Sequence, residues 1–227
     1  MVDAVILAAG MGKRMDAGMN KMFLKLYEKE ILYHTVKKFF SSDVIDKIIV
    51  VAKKDELDFC KRICSVFMSR TKFVLGGKTR QESSYLGVCA SDADFLLIHD
   101  GARPFITHED IAAAAENTVR YGAAAVGCKC VDTLKRTADG FITETVDREE
   151  IIKIYTPQGF KRSLIKELHE RAFEDKISVT DDSSICEHYG VRVKFVEGSP
   201  LNIKITSKAD MLLAKALLGK TEDLCLE

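Results

Sequence analysis

Four short stretches of the chain concentrate residues able to hold phosphate or a hard cation. The first, residues 8–15 (A-A-G-M-G-K-R-M), follows an apolar run directly. Small residues let backbone N–H groups approach an anion, and Lys13, Arg14 and nearby Lys21 could neutralise charge building on phosphoryl oxygens. A tight strand-to-loop turn with solvated cations reads equally from these residues. The stretch is not a Walker A loop, since Leu7 stands at its first glycine and Arg14 at its Ser/Thr. Nor is it a complete dinucleotide fingerprint, since Met15 takes the third glycine position. The second stretch, residues 76–84, pairs Gly76 with Gly77 ahead of Arg80, Gln81 and Ser83. It offers either a flat surface for a base or a plain left-handed turn. The third, residues 99–104 (H-D-G-A-R-P), places Asp100 where a strand ends, suited to Mg²⁺ through oxygen or to a turn or helix cap. The fourth, residues 202–206 (N-I-K-I-T), sets Lys204 between apolar neighbours, a site cation or an edge-strand lysine. No Ser/His/Asp or Cys/His nucleophile set is evident.

Periodicity indicates which elements carry these stretches. Residues 4–8, 47–52, 72–75, 94–98 and 123–126 are short apolar runs that read as strands, separated by amphipathic segments at 31–40, 55–68, near 81, and from a Thr107 cap to 120. Such alternation predicts an α/β fold with a doubly wound, mainly parallel sheet, whose ligands sit outside the carboxyl ends of the strands. After Gly127 the pattern changes. Residues 128–148 mix isolated apolar residues with many polar ones around the Ala138-Asp139-Gly140 turn signal, which predicts a β-hairpin arm. A lone hairpin is marginal in water, so it needs a partner: the arm of a second subunit, or its own sheet. Helical patterning returns at 161–173 and 183–189, then strands at 192–196 and 202–206 and a last helix from Ser207.

The composition excludes several function classes. With 34 Lys+Arg against 34 Asp+Glu the chain has no basic excess to bind nucleic acid non-specifically. No apolar run reaches the length that spans a bilayer, and the opening residues read as a strand rather than a signal peptide. The cysteines number seven, an odd count without a Cys-x-x-Cys pair, which points to free thiols in a reducing, cytoplasmic setting. Cys60 and Cys64, one helical turn apart, read as small buried hydrophobes rather than half a metal site. At 227 residues the chain is read as one domain, with the arm at about 128–155.

Taken in order, V-I-L-A-A-G-M-G-K-R-M with Lys21, G-G-K-T-R-Q-E-S, H-D-G-A-R-P-F, D-T-L-K-R, T-V-D-R, T-P-Q-G-F, V-T-D-D-S-S and N-I-K-I-T resemble the 2-C-methyl-D-erythritol 4-phosphate cytidylyltransferase family from end to end. The resemblance implies a Rossmann-like fold of the nucleotide-diphospho-sugar transferase type, a Mg²⁺-dependent reaction and a homodimer locked by the arm. A phosphate oxygen of the polyol phosphate would attack the α-phosphorus of CTP and release pyrophosphate. By position, Arg14 and Lys21 would stabilise the transition state, with Arg148 and Lys204 also catalytic. Ala8, Ala9, Gly10, Gly12, Gly77, Arg80, Ser83, Asp100 and Gly101 would bind CTP, with Asp100 at the metal. Thr133 and Arg148 on the arm would hold the acceptor from the neighbouring subunit, and Lys204 would position its phosphate. The chain departs from the family pattern at Asn20, where many relatives have proline, at Leu201, often acidic, and at Lys78, where some members carry an acid. Ribitol 5-phosphate cytidylyltransferase shares the fold and the CTP loops, and a silent nucleotide-binding protein is a further alternative. The T-V-D-R run and Gln81 favour methylerythritol phosphate.

Overall fold

The computed structural model describes residues 1–10 and 20–223. Gly12 and Arg14, expected at the nucleotide, lie outside the described residues. The chain opens with β1 (Val2–Leu7), a small ribbon of β2 (Lys25–Leu26) and β3 (Lys29–Glu30), α1 (Ile31–Phe40), β4 (Ile48–Ala52), α2 (Leu57–Ile63), β5 (Thr71–Leu75) and α3 (Arg80–Cys89). Next come β6 (Phe95–Asp100), α4 (His108–Tyr121), β7 (Ala123–Lys129), the hairpin strands β8 (Leu134–Ala138) and β9 (Phe141–Val146), and β10 (Ile152–Lys161). The chain continues through α5 (Arg162–Glu174), α6 (Asp182–His188), β11 (Lys194–Glu197) and α7 (Lys208–Asp223).

Among the described residues, seven strands form one sheet in the order β11-β7-β10-β6-β1-β4-β5. All neighbours are parallel except β10, which runs antiparallel to both β6 and β7. Alternation along β1 and β4 explains the two layers of helices. Ala4, Ile6, Ile48 and Val50 face a core closed by Leu32, Val36 and Phe39 of α1, Cys60 of α2 and Ile111 of α4. Val5, Leu7, Ile49 and Val51 face the opposite core, closed by Val88 of α3, Ile165 and Leu168 of α5, and Ile185 of α6. Cys60 and Cys64 are fully buried, and burial pushes both thiols up to about 12, as the reading of them as small hydrophobes requires.

The hairpin of β8 and β9 stands as its own two-stranded sheet, turning at Asp139 (φ 50°) and Gly140 (φ 82°), two left-handed residues in succession. At its base, residues 152–154 of β10 pair with 127–129 of β7 inside the main sheet, so the free hairpin begins further along the chain.

Two expectations need correction. Residues 202–206 are not a strand. A single ladder-like bond, Ile205 N–H to the Ala102 carbonyl, ties them to the β6 loop, while Asn202 and Thr206 are held by side-chain contacts. Their apolar alternation arises because Ile205 fills a separate small core with Leu26, Ile31 and Ala214. Conversely, β10 escapes the sequence reading because Pro157 and Gly159 look like loop residues; the strand absorbs the proline at a register shift between Ile154 and Gln158.

At Gly159, α4 packs tightly against this strand. A Cβ there would sit 1.8 Å from Thr118 Oγ1 and 2.7 Å from Leu97 Cδ2. Gly159→Ala should therefore lose about 1–3 kcal/mol, read as a lower urea midpoint with unchanged m-value. An unshifted midpoint would contradict this packing.

Candidate active site

The carboxyl ends of β1, β4, β5 and β6 open into one cleft of about 550 Å³. Ala9 and Gly10 line it after β1, Lys53 after β4, Gly77, Lys78, Thr79, Arg80 and Ser83 after β5, and Asp100 and Gly101 at the end of β6. Lys21, Met22, Lys204 and Thr206 complete the wall. Ala8 sits just behind, fully buried. The described parts of the four sequence stretches thus converge, although they are widely separated along the chain.

Local structure accounts for each placement. Lys21 opens a 3-10 turn (Lys21–Phe23) whose cap, Asn20, accepts a hydrogen bond from the Met22 N–H at 3.2 Å. Gly76 and Gly77 have no positive φ, so the left-handed turn is not what they provide. What they provide is closeness: a Cβ on Gly76 would meet Ala9 Cβ at 2.8 Å and Ser83 Oγ at 2.9 Å. Ser83 accepts the Gly77 N–H at 3.1 Å and donates to the Thr79 carbonyl at 2.8 Å, holding the turn against the β1 loop. Thr79 caps α3, so Arg80 emerges at the first turn of that helix with its side chain in the cleft.

Charges alternate across the floor. Arg80 Nη1 meets Asp182 Oδ2 at 2.8 Å, Arg80 Nε lies 3.8 Å from Asp100 Oδ1, and Lys204 Nζ lies 2.7 Å from Asp100 Oδ2. Arg103 Nε sits 3.6 Å from the same Asp100 oxygen. Burial alone would raise the Asp100 carboxyl, but Lys204, Arg80 and Arg103 override it and hold the group down at about 2. Burial likewise opposes ionisation of Asp182, and Arg80 and His169 drive its carboxyl far below the ordinary range. Arg80 Nη2 is buried without a hydrogen-bond partner. Thr107, not Asp100, caps α4, and Lys204 is in no strand, so the helix-cap and edge-lysine readings do not describe these two residues.

A second cavity of about 430 Å³ adjoins the first and shares Arg80, Asp100 and Lys204 with it. Its other walls include Arg103, Tyr155, Thr156, Thr180 and Asp181, polar groups that the sequence reading left without a role. Arg103 is fixed by donating to the Asn202 carbonyl at 2.8 Å and by lying over the Tyr155 ring at 4.9 Å. Lys53 was legible as the residue after a strand, whereas Asp182 fell in the V-T-D-D-S-S run but received no role, because its partner Arg80 is 102 positions away. Thr133 and Arg148 line neither cavity; both are exposed, and Arg148 Nη1 donates to the Val131 carbonyl at 2.8 Å.

A family model described as IspD, 2-C-methyl-D-erythritol 4-phosphate cytidylyltransferase, matches residues 2–220. The chain belongs to this family. Among relatives, the 2-C-methyl-D-erythritol 4-phosphate cytidylyltransferase of Clostridium novyi is 44% identical over 95% of both chains. That of Halalkalibacterium halodurans is 40% identical over 96% of this chain and 97% of its own. A crystal structure of 4-diphosphocytidyl-2C-methyl-D-erythritol synthase from Anaerococcus prevotii superposes with a TM-score of 0.87 at 31% identity, covering 96% of each chain. A Thermus thermophilus 2-C-methyl-D-erythritol 4-phosphate cytidylyltransferase superposes at 0.78 with 28% identity over 94% of this chain and 97% of its own. The methylerythritol name of these IspD relatives does not favour a ribitol phosphate acceptor. Among the described residues, no helix is long and apolar enough to cross a membrane.

One buried group beside the site sets a pH dependence. His99 Nε2 donates to the Arg103 carbonyl at 3.1 Å, leaving Nδ1 to accept the Thr156 hydroxyl at 3.1 Å, whose oxygen accepts the Asp100 N–H at 3.1 Å. That chain needs a neutral ring, and burial lowers the group from 6.5 to about 4. The unfolded imidazole takes a proton near 6.5 and the folded one does not, so stability should fall as pH drops from about 6.5 toward 4. His99→Gln should flatten that part of a urea-midpoint profile; an unchanged slope would remove His99 from the account.

Proposed function

We propose that this protein transfers CMP from CTP to 2-C-methyl-D-erythritol 4-phosphate, yielding 4-diphosphocytidyl-2-C-methyl-D-erythritol and pyrophosphate in non-mevalonate isoprenoid precursor synthesis. One observation carries the reading beyond family membership. In a chain of zero formal net charge, five cations line the larger cleft (Lys21, Lys53, Lys78, Arg80 and Lys204), with Asp100 as the one carboxylate among its described lining residues. Such a cleft suits a triphosphate.

The geometry supports CTP in the larger cleft and the acceptor in the smaller, so that the α-phosphorus lies near the shared Arg80, Asp100 and Lys204. The acceptor's phosphate is already largely ionised at neutral pH, so no protein base is needed. Its oxygen forms a bond to the α-phosphorus as the bond to the β-phosphate oxygen breaks, and pyrophosphate departs with those electrons. Catalysis is then positioning and charge neutralisation, the tasks assigned to Lys21, Arg14 and Lys204. Close backbone at Ala8, Ala9, Gly10, Gly77 and Gly101, with Ser83, would shape the nucleotide site, to which the family resemblance also assigns Gly12.

Mg²⁺ fits the donor set. It takes one or two carboxylates plus substrate phosphates and keeps several waters, and Asp100 offers one ionised carboxylate in the cleft. When bound, the ion would neutralise part of the triphosphate charge. Thr133 and Arg148, exposed and off the chain's own cavities, would serve the acceptor site of a second subunit in a homodimer joined by the arm. The buried free thiols support a cytoplasmic address for this single-domain enzyme.

Pyrophosphate release measured with CTP should require 2-C-methyl-D-erythritol 4-phosphate; release with ribitol 5-phosphate instead would overturn the acceptor. Lys21→Ala should retain the fold and lower kcat by about 10²-fold or more. Mixing Arg148→Ala chains with Lys21→Ala chains should restore part of the activity in heterodimers. Verified heterodimers without activity would place Arg148 outside the neighbour's site.

A further inference from the structure

We infer that Asn20 and Glu56 form a clasp that sets Lys21 in the nucleotide cleft, which makes both of them positioning residues for the transfer; this rests on the nucleotide-transfer reading above. Asn20 is buried, at 6% exposure, and its amide is fully engaged. The Nδ2 group donates to the Ala8 carbonyl at 3.1 Å and to Glu56 Oε2 at 2.9 Å, while Oδ1 accepts the Met22 N–H at 3.2 Å. Both N–H donors of the amide and its carbonyl oxygen thus each have a partner. They tie the residue before Lys21 to the carboxyl end of β1 on one side and to the start of α2 on the other.

Glu56 is placed for this and not for its own helix. It occupies the N-cap of α2 and makes no capping bond with its side chain. Its carboxylate instead meets Asn20 and, at 3.8 Å, the ammonium of Lys53, another residue of the cleft wall. Beyond the clasp, Lys21 starts the short turn whose next residue, Met22, is buried against the β6 loop, where a Cβ on Gly101 would meet Met22 Sδ at 2.8 Å. The backbone on both sides of Lys21 is thereby fixed, and the lysine enters the cleft from a set origin. A catalytic cation displaced by about 1 Å forfeits up to roughly 10²-fold in rate, so a device that fixes its backbone acts on kcat.

The test is a double-mutant cycle on pyrophosphate release, with CTP concentration varied at saturating methylerythritol phosphate. Asn20→Ala should lower kcat by about tenfold or more. In a Lys21→Ala background the same change should cost less than about twofold, because the residue acts through the lysine. Fold-losses that multiply would mean a merely structural role, and undiminished kcat in Asn20→Ala would equally overturn the clasp. Glu56→Gln, which keeps an oxygen for Asn20, should stay near wild type, whereas Glu56→Ala should match Asn20→Ala. Should Asn20→Ala fail to fold, the Glu56 pair decides by the same criteria. A wild type that releases no pyrophosphate from CTP overturns the transfer reading and the clasp with it. An active wild type with indifferent variants overturns the clasp alone.

Discussion

The site depends on a guanidinium held between two buried carboxylates. Arg80 bridges Asp182 and Asp100, and Asp100 in turn holds Lys204. Removing charge from water costs several kcal/mol per ion, so such a row persists only where each member is flanked by opposite charge. Here the members come from α6, α3, the end of β6 and the irregular segment that carries Lys204. The row pins four distant stretches at one point. It also leaves a buried donor, Arg80 Nη2, without a protein partner.

The same constraint explains how a chain with no net charge presents a cationic cleft. The acids that balance Arg80 and Lys204 lie beneath or between them, and Asp182 is only 1% exposed. Anions approaching from solvent meet Lys21, Lys53 and Lys78 first. Low-dielectric walls strengthen such a field, which favours a nucleotide over its hydrated state without any large surface excess of charge. Nucleotidyl transfer from a triphosphate to an ionised phosphate is repulsive chemistry, and a cleft built in this way answers that difficulty directly.

Much of this was legible in the sequence, for physical reasons. The inner strands are buried on both faces, so they appear as unbroken apolar runs, and the loops after them are where ligands must bind. That logic singled out Ala9, Gly10, Gly77, Arg80, Ser83 and Asp100, and the structure brings them into one cleft with Lys21 and Lys204. Asp182 stood in the V-T-D-D-S-S run without a role, because its contact with Arg80 spans 102 positions, which periodicity does not report. Residues 202–206 read as a strand because Ile205 is buried in alternation, although its neighbours are the small core of Leu26 and Ala214 rather than a sheet face. The last part of β10 was hidden by residues that usually end strands. Asn20, noted in the sequence as a departure from the family pattern, proves to be a buried amide with every group matched.

The most direct measurement is the affinity of CTP for Asp182→Asn protein, titrated calorimetrically against wild type with folding checked by circular dichroism. The side chain keeps its shape and loses the charge that anchors Arg80. The account predicts affinity weakened by about tenfold or more, the equivalent of ~1.4 kcal/mol, in a folded protein. Wild-type affinity in that folded variant would contradict the claim that this buried pairing builds the nucleotide site.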